Sequence, residues 1–229
     1  MNSTAAQPDP APARIAIFDL DRTITRAGTY TPFLLSSARA TPSRYMRIPT
    51  ALTYMGAYAA KRISRAALKA HMLDLFIAGA TRAQVEVWAE TFVDRWLQVQ
   101  VRPGALQAIE RHRAAGDYLV MATASFDFYA EVFARRLGLH HTIATASVWD
   151  TNDCLCAAVA GENCYGPAKV EAVESYLKSY PSRPHITVYS DHHSDFDLLA
   201  SADEGVAVNP NGKLRALARN EGLAIVDWG

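Results

Sequence analysis

Two aspartates one residue apart, Asp19 and Asp21, close the apolar run "IAIFDLDRTIT" at residues 15–25. Two more stand close together in "DHHSD", Asp191 and Asp195. A hydroxyl pair, Thr123 and Ser125, follows the apolar run "YLVMA", and Lys169 sits in "CYGPAKV". Gathered in one place, four carboxylates repel one another. At an effective dielectric near 20, two like charges about 4 Å apart cost about 4 kcal/mol. A divalent cation offsets that repulsion, and an all-oxygen donor set suits hard Mg²⁺. Lys169 adds a further positive charge. Carboxylates, Mg²⁺, a lysine and a hydroxyl together suit a phosphoryl group, whose oxygens need neutralising during in-line transfer.

The elements around these residues give them a common address. Short apolar runs of strand length lie at Arg14 to Phe18, Tyr118 to Ala124 and "HITVYS". Helical segments are expected at Tyr129 to Leu137, Val170 to Ser179, Asp195 to Ser201 and Lys213 to Asn220. "TIATASVWDTNDCLCAAVAG" reads as two strands with a turn at 151–153, "GVAVN" as a strand and "LAIVDW" as a last short one. Strands alternating with helices predict an α/β fold, a Rossmann-like parallel sheet with helices on both faces. In such a sheet ligands sit at the carboxyl ends of the strands. Each pair of acids follows a predicted strand, and so do the hydroxyls.

Between the first and second strands, Tyr30 to about Arg113 reads almost wholly helical. "RAALKAHMLDLFIAG" has apolar residues at helical spacing, and "TRAQVEVWAETFVDRWLQ" carries a core stripe of Val85, Trp88, Phe92 and Trp96 behind the N-cap Thr81. That stretch is too long for one crossover. It is expected to be an all-helical cap over the site, at residues 29–104, inserted into a core made of 14–28 and 105–229. Residues 1–13, rich in Pro, Ala and polar side chains, are expected to be a disordered tail.

Bulk properties narrow the function classes. Lys+Arg and Asp+Glu are both 23, so the zero net charge gives no general reason to expect a nucleic-acid partner. The longest apolar runs fall short of the ~20 residues that span a bilayer. The three cysteines include no C-x-x-C pair, which argues against zinc or a disulfide and for a reduced, cytoplasmic location. No oligomeric state is assigned.

"DLDRT", a strand-end Thr, a Lys and "DHHSD", in that order, resemble the four motifs of the haloacid dehalogenase-like superfamily. The resemblance is nearest to its phosphoserine phosphatase-like subfamily with a helical cap. It implies a Mg²⁺-dependent phosphatase acting on a small-molecule phosphate monoester through an aspartyl phosphate. By that resemblance Asp19 is the nucleophile and a Mg²⁺ ligand. Asp21 is the general acid and base, with its carbonyl on the metal. Thr123 hydrogen-bonds a phosphate oxygen, with Ser125 beside it. Lys169 neutralises phosphate and nucleophile. Asp191 binds Mg²⁺, and Asp195 holds a metal-bound water or orients Lys169. The second acid at position 21 serves leaving-group protonation, which phosphate esters need and halides do not.

Some residues depart from the pattern. Arg22 replaces a small residue and is expected to face solvent. Ser190 replaces a common Gly with little expected consequence, and His192 and His193 are read as loop residues. "RAGTYTPFLL" lacks the acid that would hold the ammonium of phosphoserine. The segment around "RIPTALTYMGAYAAKR" is flanked by Arg44, Arg47, Lys61, Arg62 and Arg65. It is expected to be an ordinary helix burying Leu52, Met55 and Ala59. The alternative is peripheral contact with an anionic membrane, which would fit a lipid head-group phosphatase. A non-catalytic phosphate-binding module is the third reading. A complete set of six site residues speaks against it.

Overall fold

The computed structural model describes residues 12–229. The predicted tail lies outside the described residues except for its last two positions. The first strand, β1 (Arg14–Phe18), is buried on both faces after its first residue, as a strand at the middle of a parallel sheet must be. Four helices follow it: α1 (Tyr30–Ser37), α2 (Ile48–Ala59), α3 (Arg65–Phe76) and α4 (Arg82–Gln100). The sheet resumes after α5 (Pro103–Ala114) with β2 (Tyr118–Phe126), α6 (Asp127–Leu137), β3 (His141–Trp149) and β4 (Leu155–Ala160). The chain ends with α7 (Pro167–Leu177), β5 (His185–Ser190), α8 (Phe196–Ser201), β6 (Glu204–Val208), α9 (Gly212–Asn220) and β7 (Ala224–Val226).

The seven strands are ordered β4-β3-β2-β1-β5-β6-β7. Every neighbouring pair is parallel except β3 and β4. The chain steps from β1 to β2 on one side and later returns to pair β5 on the other. The carboxyl end of β1 is therefore a topological switch point, where a crevice opens between diverging connections. Asp19 and Asp191 directly follow the last residues of β1 and β5 for this reason, and Thr123 lies within β2 just past the stretch that pairs with β1. The expected α/β fold is the observed one.

The helices between β1 and β2 leave and re-enter at a narrow neck. Thr25 bridges Val101, Arg26 N donates to Gln100 O at 2.7 Å, and Arg102 N donates to Ile24 O at 2.9 Å. Their anchor is aromatic. Phe33 of α1 stacks on Tyr129 of α6 at 4.9 Å, and Phe92 of α4 meets Phe133 edge-on at 6.3 Å. Val85 and Phe92 of the predicted stripe are buried, while Trp88 and Trp96 are partly covered. One continuous apolar cluster thus includes residues of the sheet and of the inserted helices.

The α2 segment corrects the expectation. Ala51 is buried, but Leu52 is 60% and Met55 43% exposed, and Ala59 also lies at the surface. The apolar spacing of α2 is real, yet no neighbouring element among the described residues covers that stripe. No helix among the described residues is long and apolar enough to cross a membrane.

Packing of α8 on the sheet leaves Gly205 without room for a side chain. A Cβ on Gly205 of β6 would stand 2.3 Å from the backbone oxygen of Leu199 in α8. Gly205→Ala is expected to destabilise the fold by about 1–3 kcal/mol, read as a lower midpoint in urea unfolding. An unchanged midpoint would show that α8 is not held against the strand.

Candidate active site

The buried carboxylates are organised around one lysine. Gly166, at φ +58°, turns the chain into α7, and Pro167 opens the helix. Lys169 is therefore in the first turn and points inward. Its Nζ donates to Asp19 Oδ1 at 2.8 Å and to Asp195 Oδ2 at 2.8 Å. All three side chains are almost wholly buried. Burial alone would lower the Lys169 pKa, but the two carboxylates more than reverse this and raise it. Burial opposes ionisation of Asp195 too, yet Lys169 and Ser190 hold its pKa below the ordinary value. Burial pushes Asp19 up to about 7, against Lys169 and with the help of Asp195 and Asp191. Lys169 thus pairs with Asp19 and Asp195 at the same distance, and two buried carboxylates share its one charge.

Thr23 joins the next pair. Its hydroxyl donates to Asp19 Oδ2 at 3.0 Å and accepts from Asp191 N at 3.0 Å. Asp191 Oδ1 lies 3.5 Å from the same hydroxyl. Asp19 and Asp191 thereby flank a single Oγ, and Asp191 is itself pushed up to about 6, by burial and then by Asp195.

Asp21 is held from the opposite side. Its Oδ1 accepts from Thr29 N at 2.6 Å and Thr29 Oγ1 at 2.7 Å, and its Oδ2 accepts from Ser125 Oγ at 2.9 Å. These bonds fix the carboxylate between β1 and β2. Thr123 is fully buried, and its Oγ1 accepts from Ser125 N at 3.0 Å. Its hydroxyl proton has no acceptor among the described residues. Ala124 and Ser125, rather than Thr123, wall the cleft.

The carboxylates open into a cleft of about 500 Å³. Residues of the inserted helices form its far wall, among them Tyr30, Met55, Tyr58, Arg65 and Lys69. The only acids on the whole lining are the four aspartates. Lys69 is buried and donates to Asn163 Oδ1 at 2.6 Å and to the carbonyl of Ala124. Burial, reinforced by Arg65, lowers its pKa to about 7. The Arg65 guanidinium lies 4.1 Å from the ring centre of Tyr165.

Several of these residues were not singled out from sequence. Ser190 was expected to matter little, but its Oγ donates to Asp195 Oδ2 at 2.7 Å and helps hold the acid that binds Lys169. Thr29 and Lys69 carried no assignment, and Thr23 was noted after the first strand but given no role. Lys69 had no local signal, since its partners lie about 55 and 94 residues away. Arg22 sits at the cleft rim, exposed, in a left-handed conformation with φ 66°. His192 Nδ1 accepts from Ser194 N at 3.2 Å, and His193 Nδ1 lies 3.3 Å from Asn211 Nδ2, so both histidines bond within the loops.

No group of three or more His, Cys, Asp or Glu side chains forms a ready-made metal cage among the described residues. The donors present still fit Mg²⁺, which binds through one or two carboxylates and keeps several waters. Asp19 and Asp191, both raised by burial and flanking one hydroxyl, are such a pair.

The chain was compared with known proteins. The family model for haloacid dehalogenase-like hydrolase matches residues 16–200. Protein CicA of Caulobacter vibrioides is 30% identical over 190 residues, covering 83% of each chain. Phosphoserine phosphatase SerB1 of Mycobacterium tuberculosis is 29% identical over 154 residues, 67% of this chain, and the match spans half the length of that relative. A crystal structure of a protein with unknown function from Bordetella pertussis Tohama I superposes with a TM-score of 0.83 at 24% identity, covering 96% of this chain and all of that one. A family match over most of the chain agrees with the order of its four motifs, and the chain belongs to the haloacid dehalogenase-like hydrolases.

Proposed function

We propose that the protein is a Mg²⁺-dependent phosphatase that hydrolyses a phosphate monoester through an aspartyl phosphate on Asp19. The observation that carries this reading is the buried Lys169 bridge between Asp19 and Asp195, with Thr23 tying Asp191 to the same nucleophile. Asp19 attacks the phosphorus in line, and the bond to the leaving oxygen breaks. Asp21, aimed by Thr29 and Ser125, gives its proton to that oxygen and then takes one from the attacking water. Lys169 offsets charge on the phosphoryl oxygens, and Thr123, which the family resemblance assigns to one of them, lies behind Ala124 and Ser125 and would reach it only after the strand end shifts. Asp195 and Ser190 orient Lys169. Asp19, Asp191 and the backbone carbonyl of Asp21 would hold Mg²⁺, which supplies charge neutralisation when bound. Residues 29–104 act as a cap that excludes water and selects the substrate.

The cap side of the cleft also narrows the substrate. Arg65 and Lys69 face it, and no carboxylate there could pair with an ammonium. We therefore infer that the organic part of the substrate is neutral or anionic, unlike phosphoserine. A lipid head group is a second reading, favoured by the exposed Leu52 and Met55 beside the cleft.

Asp19→Asn is expected to abolish phosphate release from p-nitrophenyl phosphate while circular dichroism stays native. Asp21→Asn should leave a residue of activity, about 10²–10⁴-fold below wild type. Equal turnover in wild type and Asp19→Asn would remove Asp19 as the nucleophile. Chelation by EDTA should stop hydrolysis and added Mg²⁺ should restore it, and activity indifferent to both would reject the metal assignment.

A further inference from the structure

The exposed face of α2 has no occupant among the described residues. Ile48, Leu52 and Met55 fall at i, i+4 and i+7, one stripe of the helix. Met46, in the turn before it, is 83% exposed, and Tyr58 extends the stripe toward the cleft. Elsewhere, the large apolar residues at the surface, such as Val87, Val99 and Leu217, stand singly.

The charge around this face is one-sided. Residues 22–73 carry nine Lys and Arg and no Asp or Glu, in a chain whose net charge is zero. The insert as a whole, residues 29–104, carries ten Lys and Arg against four Asp and Glu, the nearest acid along the chain to this face being Asp74 beside Arg44. Arg44 and Arg47 turn inward to cap carbonyls of the α3 end: Arg44 reaches Phe76 O and Ala78 O, and Arg47 reaches Asp74 O and Leu75 O. Arg39, Lys61 and Arg62 are exposed and make no ion pair among the described residues. Apolar side chains projecting between unpaired cations match the boundary of an anionic bilayer. The apolar groups enter the acyl region and the cations meet lipid phosphates. A protein partner of opposite charge would satisfy the cations alone, but would leave four large apolar side chains to be matched by a complementary groove.

We propose that the α2 face docks on an anionic lipid surface. Met55 and Tyr58 belong both to this face and to the cleft wall. Docking therefore brings the cleft mouth to the lipid phosphates. Docking itself does not depend on the catalytic reading, since it uses neither the aspartates nor Lys169.

Co-sedimentation tests it with the full chain, using phosphatidylcholine vesicles with and without about one third phosphatidylglycerol. Wild type should pellet with the anionic vesicles only, and NaCl at about 0.5 M should release it. The Met46→Glu/Leu52→Glu double variant and the Lys61→Glu/Arg62→Glu double variant should each lower the partition by roughly tenfold or more. Both should keep wild-type turnover of soluble p-nitrophenyl phosphate, which shows that they fold. Wild type that stays in the supernatant, or variants that pellet like wild type, would overturn the proposal. So would a dimer that Met46→Glu/Leu52→Glu dissociates in a protein that binds no vesicles, since the face would then serve a second copy of the chain.

Discussion

The structure rests on a single electrostatic constraint. Asp19, Asp191 and Asp195 are buried together at the centre of the sheet, and Lys169 is the only cation that reaches any of them by a direct hydrogen bond among the described residues. Buried carboxylates persist when each is paired or bonded. Asp195 meets that condition with Lys169 and Ser190. Asp19 meets it with Lys169 and the hydroxyl of Thr23, while Asp191 has that hydroxyl and no bonded cation among the described residues. Three carboxylates thus share one cation, and burial raises the pKa values of Asp19 and Asp191. A site left short of positive charge is suited to receive it from outside. The sheet topology keeps it so, because it places the ends of β1, β2 and β5 side by side.

The inserted helices answer a different need. The chain leaves and returns through the Thr25–Val101 neck, and a second backbone contact, the Thr81–Cys154 bridge with Gly79 N donating to Leu155 O and Leu155 N to Ala80 O, ties the insert to β4. The aromatic cluster between α1, α4 and α6 adds to this anchoring. Lys69 adds a polar tie, from α3 to the carbonyl of Ala124 at the end of β2. The same helix thus contributes to the cleft wall and holds the strand end on which Ser125 sits. A shift of α3 would be felt at Ser125 and, through it, at Asp21.

Much of this was legible in the sequence, and the limits have physical causes. β1 and β5 are short apolar runs that end in acids, and both boundaries were read correctly. The four aspartates and Thr123 were picked out from predicted strand ends, and Lys169 from its place at the opening of a helix. The α7 helix starts three residues earlier than its apolar pattern, since Gly166 and Pro167 set the start while the pattern begins at Val170. The packing of α2 was misread because periodicity reports a stripe and not its partner. Ser190 and Lys69 were undervalued for a related reason. Their roles consist of side-chain hydrogen bonds, and local pattern carries no trace of a bond to Asn163, far along the chain from Lys69.

The most direct test of the central claim is a crystal structure of the protein grown with Mg²⁺ and beryllium fluoride, a mimic of the phosphoryl group. The account predicts beryllium bonded to a carboxylate oxygen of Asp19, with Lys169 on a fluoride and one Mg²⁺ reached by both Asp19 and Asp191. Beryllium fluoride on another residue, or an ion that Asp191 does not reach, would contradict it.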